Sequence, residues 1–205
     1  MGFQAMKSFL PMTFRPTLNV SLMLISSLAV SSLELTSLTS SAQAKGHPVT
    51  EHFELGLKAY ASKHYKLAEN NWLISLKDAK DINLSPAQIT NIYNHLGKAY
   101  QAQNKMPQAQ NMYEKALSLI SKENGTDSPQ AANSYYNLGQ LFCEQEKYEA
   151  AAPYLEKAIV LHQKYFGNNF PGLRGIYKRY AVCVEKLNLK PHDTVLASSP
   201  TSILQ

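Results

Sequence analysis

The chain has 205 residues, enough for one ordinary domain together with a leader or a tail. Its composition is 44% hydrophobic and 17% charged, which supplies a packed core and excludes wholesale disorder. A net charge of +5 at pH 7 is mild and comes without a Lys/Arg run, so no nucleic-acid partner is implied.

The first element is a leader. Residues 16–33 carry no charge; Lys7 and Arg15 precede them, and Ser41-Ala42-Gln43-Ala44 follows. A basic start, an apolar stretch and a small-x-small site make a secretory signal peptide over residues 1–44, with Lys45 as the new N-terminus. The alternative is a retained signal anchor, because about 18 apolar residues can span a bilayer. Five serines and Asn19 weaken that span. Both readings place the remainder outside the cytoplasm, periplasmic or extracellular, with inner-membrane anchoring in the second.

Three Leu-Gly pairs come next: Leu55-Gly56, Leu96-Gly97 and Leu138-Gly139. Each is followed, twelve residues after its glycine, by an alanine: Ala68, Ala109 and Ala151. Recurrence at 41 and 42 residues predicts stacked supersecondary units, an architecture that usually makes a binding surface. The first unit, about 49–84, has Leu55, Gly56 and Tyr60, then Ala68, Trp72 and Ser75, with Trp72 expected in the core.

In the second unit, about 85–127, Ser85-Pro86 with Gln88 has capping-box spacing. Tyr93, Leu96, Gly97 and Tyr100 then fall at i, i+3, i+4 and i+7, the stripe of an amphipathic helix. The pattern breaks near Asn104-Lys105. Pro107 suits the first turn of a second helix carrying Ala109, Met112, Tyr113, Ala116 and Leu117. Gly97 and Ala109 are expected to let the two backbones approach, with Tyr100 and Tyr113 filling the space alongside.

The third unit, about 128–169, follows Gly125, a suitable helix end, and opens on Ser128-Pro129 as N-cap and first helical residue. It repeats the stripes as Tyr135, Leu138, Gly139 and Phe142, then Ala151, Leu155 and Ala158. Gly167-Asn168-Asn169-Phe170-Pro171 predicts a last helix starting near Pro171, with Tyr177, Tyr180, Ala181 and Val184 at matching places. Over 170–189 it reads as a capping helix covering the third hairpin. The Ser/Pro/Thr-rich residues 190–205 are expected to be a disordered tail.

The units resemble the tetratricopeptide repeat, W-x2-L-G-x2-Y followed by alanine, aromatic and alanine. The second matches best, as Tyr93-x2-Leu96-Gly97-x2-Tyr100 with Ala109, Tyr113 and Ala116. The resemblance spans about 49–187. Its usual period is about 34 residues; the longer period here, joined by Asn124-Gly125-Thr126-Asp127-Ser128-Pro129, is similar to the 42-residue variant of kinesin light chains. The resemblance implies an all-α, right-handed α-solenoid of three hairpins plus the C-terminal capping helix, residues 45–189 forming the domain.

It also implies that the first helices line a concave groove for a peptide or partner protein. The candidate lining is Asn91, Asn94, Lys98 and Gln101 in the second unit and Asn133, Tyr136, Asn137 and Gln140 in the third. Lys178, with Arg179 beside it, continues the lining on the capping helix. Amides can pair with an extended peptide backbone, and the cations would favour an acidic segment or a terminal carboxylate. The corresponding face of the first unit offers Phe53, Leu57 and Tyr60, either an apolar groove end or a surface packed by an N-terminal extension. The implied function is a non-enzymatic adaptor or scaffold in the cell envelope. The alternative is a structural subunit that self-associates through the ends of the stack.

Cys143 and Cys183 lie 40 residues apart against a period of 42. They form a candidate disulfide in an oxidising compartment, or else two small buried thiols. Six histidines, His47, His52, His64, His95, His162 and His192, lack metal-ligand spacing, and His95 reads as a surface residue. No hydrolase, zincin, P-loop or dinucleotide motif is present, so neither enzyme activity nor a metal or cofactor is expected.

Overall fold

The computed structural model describes residues 48–189; the predicted leader, 1–44, and the predicted tail, 190–205, lie outside the described residues. Seven helices and no strand occur among them: α1 Pro48–Ala61, α2 Tyr65–Asp81, α3 Pro86–Ala102, α4 Met106–Asn124, α5 Pro129–Glu144, α6 Tyr148–Phe166 and α7 Leu173–Lys186. The strongest packing joins α1 to α2, α3 to α4 and α5 to α6, which are the three hairpins. Each hairpin then packs on the next through α2 with α3 and α4 with α5, and α7 closes on α6.

Local chemistry sets the ends. Ser85 and Gln88 form a full capping box at α3, and Ser128 Oγ accepts from Ala131 N at 3.2 Å at α5. Gly125 and Gly167 terminate α4 and α6 at φ 75° and 79°, the left-handed region that glycine enters without steric cost. In the linker after Gly125, Asp127 accepts bonds from Lys164 and from the Tyr165 hydroxyl, tying this segment to α6. The last helix begins differently from expectation. Gly172 stands at its N-cap without a side-chain bond, and Pro171 lies in the preceding turn.

Within the hairpins the turns repeat. Lys63, Asn104 and Glu146 all take positive φ, and Asn188 after α7 does the same. The bond from Leu189 N to Val184 O matches those from Lys105 N to Tyr100 O and Lys147 N to Phe142 O. The capping helix is therefore the first helix of a fourth unit in geometry as well as in sequence.

The Leu-Gly glycines act as sockets. A Cβ on Gly56 would lie 2.3 Å from Trp72 Nε1, one on Gly97 2.3 Å from Tyr113 Cε1, and one on Gly139 2.7 Å from Leu155. In every unit the residue seated against the glycine is the sixteenth after it. The space that Gly97 is expected to open is filled by Tyr113, a large side chain from the second helix, with Ala109 buried as well. Trp72, Tyr113 and Leu155 are fully buried in consequence, and the indole still donates to Phe53 O at 3.2 Å.

Two further expectations change for one reason. Leu96 and Leu138 are buried under the preceding hairpin, whereas Leu55 is 41% exposed because no described unit precedes α1. His95 is buried, its ring 5.1 Å from Phe53 and 5.0 Å from Trp72, because hairpin one closes over α3.

Candidate functional site

First helices touch first helices, α3 with α5 and α5 with α7, while successive second helices make no comparable contact. The stack is therefore tighter on the first-helix side, which is its concave face. Helical spacing projects one side of α3, α5 and α7 onto that face, and neighbouring helices meet there in a fixed register.

Residues 40 or 43 positions apart lie side by side. Asn94 and Ser134 exchange hydrogen bonds at 3.3 and 3.4 Å, and Asn137 Nδ2 donates to Asn94 Oδ1 at 3.2 Å. Asn94 and Asn137 are only 4% and 5% exposed, and Asn91 is buried too. These three sequence-predicted lining residues lie below the groove surface, where Asn94, Ser134 and Asn137 bond the second unit to the third. Buried amides need such partners, because leaving one unpaired costs about 1–3 kcal/mol.

The remaining candidates reach the surface. Lys98, Gln101, Asn133, Tyr136 and Gln140 are partly exposed and Lys178 is open to solvent. Gln101 and Gln140 converge on one carboxylate, donating to Glu144 at 2.5 and 2.9 Å, and Gln101 Oε1 accepts from Tyr113 OH at 2.8 Å. Glu144 was not apparent from the helical stripe; the signals for it are its i+4 spacing from Gln140 and i+43 spacing from Gln101. At the α7 end the Arg179 guanidinium lies 5.6 Å from the Tyr136 ring centroid. Burial raises the Tyr136 phenol above its usual range, with Arg179 opposing the shift, so the hydroxyl stays neutral at physiological pH. Lys98 and Lys178 make no ion pair with the described residues.

The first unit does not extend this surface as an apolar pocket. Phe53 is 1% exposed and packs on Trp72 and His95, while Leu57 and Tyr60 lean on the same cluster. Phe53 is core. The two cysteines are free, with Cys143 partly buried, Cys183 buried and their sulfurs 3.4 Å apart. Among the described residues no group of His, Cys, Asp and Glu is arranged to hold a metal ion, and no helix is long and apolar enough to cross a membrane.

A stack of two-helix units with a polar strip along its first helices defines a helical-repeat protein. Residues 88–164 match the family model of the tetratricopeptide repeat. Among solved structures the chain resembles BtubC (BKLC) from P. vanneervenii, at 22% identity and a TM-score of 0.59, over 88% of this chain and 80% of that one. It also resembles nearly identical TPR-like repeats of a candidate kinesin light chain from Podosopora anserina. There the identity is 16% and the TM-score 0.60, over 70% and 69% of the two chains. A point variant of those repeats aligns at 15% identity with a TM-score of 0.61, over 69% and 68%. At these identities the likeness is one of fold. No curated protein matches the chain.

Proposed function

We propose that the concave face of α3, α5 and α7 binds an extended segment of a partner protein, the chain acting as an adaptor or scaffold. The observation that carries this is the strip Gln101–Glu144–Gln140, a set of amides and a carboxylate held across two units by their own bonds. Such groups can accept from and donate to a peptide backbone with little loss of side-chain freedom on binding. Tyr136 gives the strip an aromatic platform, and Lys98 on α3 with Lys178 and Arg179 on α7 favour a segment that carries carboxylates. Solenoids of this kind generally work as protein-binding modules, and no catalytic family is indicated.

The compartment belongs to the same proposal. Lys7, Arg15, the uncharged stretch 16–33 and Ala42-Gln43-Ala44 support export, which would put the groove in the cell envelope or outside the cell.

The test is site-specific photo-crosslinking in the source cells. A photoreactive residue at Gln140 should give one dominant protein adduct, weakened by K98E with K178E. The same residue at Glu156, exposed on α6, should give none. Equal adducts from both positions, or adducts at Gln140 indifferent to charge reversal, would reject the groove.

A further inference from the structure

The stack brings together a second kind of chemistry that peptide binding does not use. Residues 40 positions apart on neighbouring first helices meet side by side, as Asn94 of α3 meets Ser134 of α5. One unit further along the same offset joins Cys143 of α5 to Cys183 of α7, with the sulfurs 3.4 Å apart. The thiol contact is therefore a product of repeat geometry, held by backbones already in register. A disulfide bond of about 2.05 Å lies within reach of small side-chain rotations. We propose that Cys143 and Cys183 are a redox latch, closed by a disulfide oxidant, that covalently fastens the capping helix to the third hairpin.

The two sulfurs have distinct roles. Burial pushes the Cys183 thiol up to about 12, so it is a poor first nucleophile. Burial raises Cys143 as well, but it is only partly covered, and its contact with Cys183 and the nearby Arg179 charge oppose that rise. The Cys143 thiolate attacks a low-molecular-weight disulfide such as oxidised glutathione, forming a mixed disulfide and releasing one thiolate. Cys183 loses its proton and attacks Cys143 Sγ, which expels the second thiolate. Two protein thiols lose two electrons and two protons in all, and one external disulfide becomes two thiols.

The latch acts where a repeat array is weakest. Terminal units have neighbours on one side only and open locally before the middle. The crosslink encloses α6 and most of α7, so it restrains the helix that carries Lys178 and Arg179. The latch does not depend on what the groove binds.

The full chain, reduced and then treated with oxidised glutathione, tests this by non-reducing peptide mapping after alkylation. The expected product is a monomer with a Cys143–Cys183 linkage, both residues protected from iodoacetamide. Its melting temperature should be several degrees higher and its α7 amide exchange slower than in the reduced protein. C143S and C183S, each with one sulfur left, should show neither change on the same treatment. Two alkylatable cysteines after oxidation, a linkage formed only between molecules, or an intramolecular linkage that leaves α7 exchange unchanged would overturn the latch.

Discussion

Gly97 and Tyr113 occupy one space: the tyrosine ring stands where a side chain on residue 97 would begin, 2.3 Å from that Cβ position. The ring cannot easily withdraw, since Tyr113 is fully buried and its hydroxyl donates to Gln101. G97A should therefore destabilise the protein by about 1–3 kcal/mol through overpacking, despite alanine's better helix propensity. G97A combined with Y113A should show strong non-additivity in urea denaturation, because the second change empties the socket. A G97A protein as stable as the parent would show that the ring is not held.

The Asn94–Ser134–Asn137 network makes a second prediction. N94A leaves Ser134 and Asn137 without the partner that joins α3 to α5, so it should cost about 1–3 kcal/mol in thermal or denaturant unfolding. Adding N137A should cost less than its separate effect, since the first change has already broken the shared bond. Simple additivity would mean that the two asparagines act independently.

Glu69 predicts a pH dependence. Its buried carboxylate accepts from Lys66 at 2.7 Å, Gln103 at 2.9 Å and Lys105 at 3.2 Å, linking α2 to the turn between α3 and α4. Burial alone would raise its pKa, but these bonds outweigh it and hold the group below the ordinary 4.5. With the folded value depressed, the stabilisation is complete above the unfolded pKa and is lost as pH falls from there through the folded value. Wild type should therefore exceed E69Q in stability at pH 7, and the gap should narrow as the pH falls below the ordinary 4.5. A gap of the same size at pH 3 would contradict an ionised Glu69 as its source.

Much of the site was visible as a pattern, but not its depth. The helical stripe placed Asn94, Asn137, Gln101 and Gln140 on one side of their helices. It did not separate the asparagines, which sink between adjacent first helices, from the glutamines, which bond the more exposed Glu144 at the end of α5. His95 shows the same limit. On an isolated helix it borders the polar side, yet Phe53 and Trp72 from the previous hairpin enclose it.

The sequence by itself determined the repeat, the two-helix units, the glycine stop at Gly125, and the capping serines Ser85 and Ser128. These are local matters, settled by side-chain periodicity and by the backbone groups within one turn of each end. Only the tertiary structure decided that Gly97 receives Tyr113, that Asn94 meets Ser134 and Asn137, and that Cys143 faces Cys183. Such pairings depend on how far one helix is rotated and slid against the next. Packing over the whole stack sets that register, and no single stretch of chain contains it.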